Sequence, residues 1–310
     1  MTATTARDSS AWAYLQMMRP ANILTAWADI LLGYAASGAA VLSITTGLAA
    51  TSTQSLMPLG WLLLSTTGLY GGGVVFNDVF DADLDAEERP ERPIPSGRAS
   101  KQEAIVLGTV LLAIGVVAAA QVSGLSALLA TFIAVAALSY DAIAKHNPLI
   151  GPLNMGLCRG ANLLLGVSAV PLAVQSYWFL ALIPIVYIAA ITTISRGEVH
   201  GGSRSTGIVA LLMLGLVIAG VAGLTLLPSY GGLCVLPFAL LFVALVLPAF
   251  VRAALNPTAE QIRAAVKAGI LCLIVLDAAI ASGFTHWIYG LGVLSLLPVS
   301  RGLAKLFAVT

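Results

Sequence analysis

The chain has 310 residues, of which 59% are hydrophobic and only 9% charged, with a formal net charge of +1; a soluble domain carries roughly a quarter charged residues. That composition excludes an ordinary water-soluble fold and specifies an integral membrane protein. The near-neutral balance also excludes a nucleic-acid partner, which would require an excess of Lys and Arg to neutralise phosphate.

Residues 1–18, MTATTARDSSAWAYLQMM, lack the basic, apolar and small-residue regions of a cleaved signal and read as an interfacial segment, with Trp12 and Tyr14 at headgroup level. From there the chain breaks into about nine apolar stretches of bilayer-crossing length, near 23–40, 59–78, 104–121, 123–141, 152–172, 177–195, 207–227, 231–251 and 266–285. Leu, Val and Ala run through them without period-2 alternation, which selects helices over a barrel. The expected fold class is an all-α integral membrane bundle, with residues 1–310 as a single domain. The stretch IYGLGVLSLLPV at 288–299 is too short for a tenth crossing, so the tail 288–310 is expected to be re-entrant or interfacial. Cys158, Cys234 and Cys272 each stand alone in a predicted helix, without pairing or metal spacing.

Nine crossings sort the connecting loops into two sets. Arg7, Arg19, Arg89, Arg92, Arg98, Lys101, Lys145, Arg196, Arg204, Arg252, Arg263 and Lys267 all fall in one set, while the loops near 41–58, 122, 173–177 and 228–231 hold no Lys or Arg. The positive-inside rule makes the basic set cytoplasmic, and the expected location is the inner (cell) membrane of a bacterium. Trp61, Tyr177, Trp178, Tyr230, Trp287 and Tyr289 then fall near the opposite interface, where anchors belong. Arg301 and Lys305 do not fit this sorting if the ninth span is the last.

The second span ends in GGGVVFNDVFDADLDAEERPERPIPSGRAS, residues 71–100, where half of the chain's fourteen acids are concentrated. At about 100° per residue, Asp78, Asp81 and Asp85 lie at about 100°, 40° and 80° from Asn77, one narrow helical sector, while Asp83 points about 240° away. Carboxylates crowded on one face repel unless a cation sits among them. Hard oxygen donors suit Mg²⁺ or Mn²⁺, and Mg²⁺ is typically held by one or two carboxylates together with substrate phosphate oxygens. The implied substrate is a diphosphate. In the following loop RPERPIPSGR, Arg92 and Arg98 can pair with phosphate through planar forks, with a positive-inside flank as the alternative for Arg98 and Lys101. Gly71, Gly72 and Gly73 predict close helix packing or a local distortion beneath the acids.

The unbroken N-D-x-x-D-x-x-x-D of NDVFDADLD resembles the first aspartate motif of the UbiA superfamily of intramembrane prenyltransferases, and RPIPSGR resembles the loop after it. Similarity extends through RPANILTAWADILLGY (19–34) and LSYDAIAKHNPLIGPLNMGLCRGANLLLG (138–166); the latter and the end LAKLFAVT resemble the EboC-like branch. The resemblance implies a nine-helix bundle around a cavity open to lipid. It further implies Mg²⁺-dependent ionisation of an isoprenyl diphosphate and transfer of the prenyl group to a lipophilic acceptor. By position it assigns Asp78, Asp81, Asp85 and Glu198 to metal, Asn22, Asn77 and Arg92 to substrate, and Tyr140 and Lys145 with Asp78 and Asp81 to catalysis.

The family's second aspartate motif is altered. ISRGEVHGGSRSTG, residues 194–207, keeps Glu198, has Gly202 or Ser203 in place of the second acid, and offers His200 as a substitute or merely as a loop residue. Arg204 is expected to contact phosphate. Three further charges, Asp29, Arg159 and Asp277, fall within apolar spans at similar depth, roughly 10 to 17 Å from the cytoplasmic helix starts. Such charges normally pair, so Arg159 is expected to join Asp29, Asp277 or both as a polar floor below the metal site. Asn154 and Asn162 stand nearby to complete it. That floor either orients the acceptor, which places Asp29 and Arg159 among the substrate-side residues, or is a structural salt bridge. The expected function is Mg²⁺-dependent prenyl transfer. The alternatives are a polyprenyl-lipid binding or transport component with a relict site, and an intramembrane terpene cyclase.

Overall fold

A computed structural model describes residues 10–40, 56–228 and 230–307. Arg7 and most of the 41–58 loop, both used above to sort the topology, lie outside them, as does the very end of LAKLFAVT. The described residues form fourteen α-helices: α1 Ser10–Met17, α2 Pro20–Ala36, α3 Met57–Phe80, α4 Ala82–Glu88, α5 Lys101–Ala120, α6 Gly124–Ala142, α7 Ile150–Val167, α8 Pro171–Tyr177, α9 Leu182–Ser195, α10 Arg204–Leu224, α11 Gly232–Leu255, α12 Ala259–Phe284, α13 Trp287–Leu294 and α14 Leu296–Leu306. Every one of the nine expected crossings has a helix, with α8 and α9 sharing one. Seven of those crossings are long and apolar enough to span a bilayer by length and composition, as is the tail Trp287–Leu306. The other two, α2 and α7, carry the buried charges Asp29 and Arg159. This is a multi-pass, all-α membrane bundle.

Consecutive helices pack against each other from α2 round to α12, and α12 returns to α2. α2 also packs on α7 and so draws the ring together across its middle. That contact depends on glycine. A Cβ on Gly33 of α2 would lie 2.3 Å from the Leu163 carbonyl oxygen, and one on Gly166 of α7 would lie 2.5 Å from that of Ile30. Since lipid offers little hydrophobic drive between helices, such close backbone approach is a main source of association. The same device joins α3 to α5, where a Cβ on Gly72 would lie 2.9 Å from the Gly108 carbonyl oxygen. The glycines below the acids therefore serve close packing.

The tail expected to be re-entrant or interfacial packs along α2. Tyr289 Oη donates to the Leu31 carbonyl at 2.8 Å, Ser300 Oγ to the Ala21 carbonyl at 2.8 Å, and Phe307 stacks on Trp12 with ring centroids 4.5 Å apart. It runs back along α2 for ten residues of that helix, about 15 Å at 1.5 Å per residue. The break at Ser295 divides an otherwise apolar 20-residue segment, which is why 288–299 looked too short when read alone. Arg301 and Lys305 are thereby returned toward the basic side.

Two of the expected anchors are packing residues. Tyr230 is 7% exposed and donates to the Ile280 carbonyl, and Tyr289 is held by α2. Trp178 and Trp287 are exposed as anchors should be. The three cysteines are free.

Gly33→Ala drives a methyl into backbone that cannot turn aside, so it is expected to destabilise the bundle by about 1–3 kcal/mol or more. Gly215→Ala, with nothing within 4 Å of the new methyl, should be near neutral. Thermal unfolding of the two variants in the same detergent checks the difference.

Candidate active site

A cavity of about 420 Å³ lies among α2, α3, α6, α7, α9 and α12. Arg19, Asn77, Asp81, Asp85, Arg89, Arg92 and Glu198 line one end, while Thr25, Thr66, Tyr70, Arg159 and Asn162 supply polar groups deeper in. Between them the wall is apolar, with Leu69, Ile133, Ile188, Ile191 and Leu273.

The acids reach the cavity because the helical register survives the break between α3 and α4. Asp81 N–H donates to the Asn77 carbonyl at 2.9 Å and Asp85 N–H to the Asp81 carbonyl at 2.7 Å. Asn77, Asp81 and Asp85, spaced by four, thus face one way. Asp78 does not line the cavity. Its Oδ1 lies 2.9 Å from Arg19 Nη2 and 3.4 Å from Arg92 Nη1, and that same Arg92 nitrogen is 2.7 Å from Asp85 Oδ2. Asp78 therefore stands behind the site and fixes its arginines. Arg98 also departs from the expected phosphate role: it closes its loop by donating to the Glu91 carbonyl at 2.7 Å and to Gln16 Oε1 at 3.2 Å. Asp83, Glu87, Glu88 and Glu91 are exposed, although Glu88 reaches the cavity edge.

A second group forms around Asp81, which is ion-paired with Lys145. Asn77 Nδ2 donates to Asp81 Oδ2 at 3.2 Å and to Asp141 Oδ1 at 2.8 Å. Lys145 sits on a single 3₁₀ turn, Ala144–His146, and Arg196 Nη2 clamps that turn through the Lys145 and Asn147 carbonyls at 3.2 and 2.7 Å. Tyr140 lines the cavity beside Asp141, and Asn22 is buried at the cavity wall.

Four residues here had no assigned part in the site in the sequence reading: Asp141, and Arg19, Arg89 and Arg196, which served there only as topology markers. Arg19 takes a left-handed backbone (φ 50°, ψ 63°), the one positive φ outside glycine among the described residues. Such a conformation is uncommon for a residue with a side chain and concentrates at functional sites. Its place three residues before Asn22, at the mouth of α2, is the signal that could have found it.

The altered second motif has a local explanation. Gly202 N–H donates to the Pro257 carbonyl at 2.9 Å, and Ser203 Oγ accepts from Thr206 N–H as the cap of α10. Both positions are therefore engaged in holding the loop. His200 is exposed, and so is Arg204, the first residue of α10, which is not among the residues lining the cavity. Glu198 does reach the cavity; burial pushes its carboxyl above the usual carboxylate range, with Arg89 and Arg263 pulling the other way. Its Oε1 is buried without a hydrogen-bond partner.

This donor set fits Mg²⁺. The groups offered by Asp81, Asp85 and Glu198 are hard oxygens, and the orphaned Glu198 oxygen is the kind of atom a cation satisfies. No three acidic, imidazole or thiol side chains among the described residues come close enough to enclose an ion. Phosphate oxygens would have to complete its shell. In this structure arginine and lysine pair with three of the four expected metal carboxylates, Asp78, Asp81 and Asp85.

Deeper in, Asp29, Arg159 and Asp277 are 0%, 7% and 1% exposed. Arg159 Nε lies 2.8 Å from Asp29 Oδ2 and Nη2 donates to Thr25 Oγ1 at 2.8 Å. Asn162 donates to Asp29 Oδ2 at 2.9 Å and accepts from Thr66 Oγ1 at 2.6 Å. Asn154 instead accepts a long contact from Cys158 Sγ and stays out of the network.

A pole of paired acids and cations inside an apolar, membrane-embedded helical cavity defines the class. Residues 38–273 match the model of the UbiA prenyltransferase family, and the chain belongs to that family. Digeranylgeranylglyceryl phosphate synthase of Methanosarcina mazei is 32% identical over 161 residues, 50% of this chain and 54% of that protein. The chain thus spans about half the length of such curated relatives. A UbiA homolog from Aeropyrum pernix has the same fold, with a TM-score of 0.66 at 18% identity over 83% of this chain and 96% of that one. Another, from Archaeoglobus fulgidus and bound to DMAPP and Mg²⁺, gives 0.60 at 18% identity over 91% and 99%.

Arg196→Ala removes both donors from the turn that carries Lys145. Amide hydrogen exchange at residues 145–151 is expected to quicken about tenfold, or about 1.4 kcal/mol of local stability, with α10 unchanged.

Proposed function

We propose that this chain transfers a prenyl group from an isoprenyl diphosphate to a lipophilic acceptor within the membrane, in a Mg²⁺-dependent reaction carried out by one catalytic bundle. The observation that carries this reading is the polarity of the cavity: acids and cations converge at one end, while an apolar wall of isoprenoid character leads away from it. In support, a family relative is bound to DMAPP and Mg²⁺ in its solved structure.

Asp81, Asp85 and Glu198 would hold Mg²⁺ together with diphosphate oxygens, and the ion would neutralise charge on the departing pyrophosphate. Arg19, Arg89 and Arg92 bind the same anion from the protein side, Asp78 holding Arg19 and Arg92 in place. Lys145 reaches it beside Asp81. As the C1–O bond breaks, its electron pair leaves with pyrophosphate, and these fixed cations stabilise that charge in a water-poor site. Tyr140 offers its ring face to the allylic cation. The new bond forms between C1 and the acceptor nucleophile, whose proton is then lost. The basic loops that carry the site face the cytoplasm across the cell membrane; the relatives named above are archaeal.

Detergent-solubilised protein given labelled farnesyl or geranylgeranyl diphosphate should release pyrophosphate only with Mg²⁺. Asp81→Asn and Asp85→Asn should each lower the rate at least about 100-fold, and Asp83→Asn, exposed and facing away, should not. No release over several chain lengths would sink the enzyme reading in favour of a lipid binder, and a cyclised hydrocarbon product would replace transfer by cyclisation.

A further inference from the structure

The chemistry above does not use Arg159. Its partner Thr25 is six residues further along α2 than Arg19, so its guanidinium lies about 9 Å deeper than the diphosphate pole at 1.5 Å per residue. The depth suits a second substrate stacked below the first.

Three contacts fix the guanidinium: Nε to Asp29 at 2.8 Å, Nη2 to Thr25 at 2.8 Å, and the Tyr70 ring with its centroid 5.9 Å from Cζ. Thr25 in turn donates to the Asn22 carbonyl, and Asn162 pins Asp29 from the other side. Among the described residues Nη1 has no hydrogen-bond partner, and it belongs to a side chain that is 7% exposed and lines the cavity. The fork is held by one hydrogen bond, Nη2 to Thr25, and by the ion pair with Asp29, whose carboxylate lies 2.8 Å from Nε without making a hydrogen bond to it. Arg159 lines the cavity, so an oxygen supplied from it would give Nη1 the hydrogen bond that the described residues do not.

Charge decides what kind of oxygen. Asp29 neutralises Arg159 at contact distance, and the buried carboxyl of Asp277 adds no positive charge. The group therefore presents a directed donor with no excess positive charge. A phosphate or carboxylate brought here would lose its hydration without gaining a counter-ion, whereas a hydroxyl or carbonyl loses far less.

We propose that Arg159 Nη1 is the acceptor-positioning donor of the cavity, that it takes an uncharged hydroxyl or carbonyl oxygen of the acceptor lipid, and that it discriminates against phosphorylated acceptors. This rests on the transfer reading above, and binding measured without turnover separates the two.

Binding of a geranylgeranyl glycerol monoether and of the same lipid phosphorylated is measured on the full chain in detergent, alongside geranylgeranyl diphosphate with Mg²⁺. The uncharged lipid is expected to bind at least about tenfold more tightly than its phosphate. Arg159→Lys, which keeps the charge opposite Asp29 but loses the fork, should weaken the uncharged lipid about tenfold and leave diphosphate affinity within about twofold. In turnover the same variant should raise the acceptor KM and not the donor KM. Equal or tighter binding of the phosphorylated lipid overturns the inference, as does equal loss for lipid and diphosphate. So does an uncharged lipid that fails to bind or ignores the substitution. Loss of pyrophosphate release in the wild-type chain would instead count against the transfer reading, with the binding comparison still standing.

Discussion

The bundle depends on how closely α2 can approach α7. At Gly33 and Gly166 the two backbones are near enough that no Cβ fits between them, and that approach brings Asp29 of one helix to Arg159 of the other. A guanidinium buried in a membrane bundle without a counter-charge would cost several kcal/mol. Helix packing and charge pairing are therefore one constraint: removing either glycine would separate the ion pair, and removing either charge would leave its partner stranded. The tail adds to the same helix, since Tyr289 and Ser300 both donate to carbonyls of α2.

On this frame, charge is separated by depth. Toward the basic side, Asp78, Asp81 and Asp85 each have a cation within contact distance, so the acids do not repel one another unopposed. Arg92 bridges Asp78 and Asp85, and one side chain thus links the structural acid to the cavity acid. An anionic substrate that arrives with a divalent cation exchanges these pairings rather than creating charge contacts afresh: arginine turns to phosphate as carboxylate turns to metal. Such a site conserves its charge balance through binding, which matters where water is too scarce to screen a mismatch.

Much of this was legible in the sequence, and the limits are physical. Apolar run length located the nine crossings, and helical angle put Asn77, Asp81 and Asp85 on one face. The same arithmetic included Asp78, because an angle of 100° cannot tell the cavity from the adjoining flank where Arg19 and Arg92 wait. Arg19 itself is invisible to periodicity, for its backbone leaves the helical region and turns the side chain in a direction that spacing does not encode. Asp141 and Arg196 belong to the site through contacts across 64 and about 50 residues of sequence, and no local pattern reports these. The contacts of the tail with α2 were out of reach as well, because Tyr289 and Ser300 meet carbonyls more than 250 residues earlier in the chain.

The α2 helix then explains why one cavity can hold two kinds of substrate group. Arg19, Asn22, Thr25 and Asp29 follow one another at three- and four-residue steps, a single face descending from the diphosphate pole to the buried ion pair. Each step changes the chemistry: a cation paired with Asp78, an amide, a hydroxyl that passes a hydrogen bond from Arg159 to the Asn22 carbonyl, and a carboxylate already spent on Arg159. Three arginines, Arg19, Arg89 and Arg92, line the cavity at the top of this ladder, and a single one, paired with Asp29, stands at its foot. A diphosphate is therefore held at the mouth and an uncharged oxygen below it, and the order of binding depth follows from the order of residues along one helix.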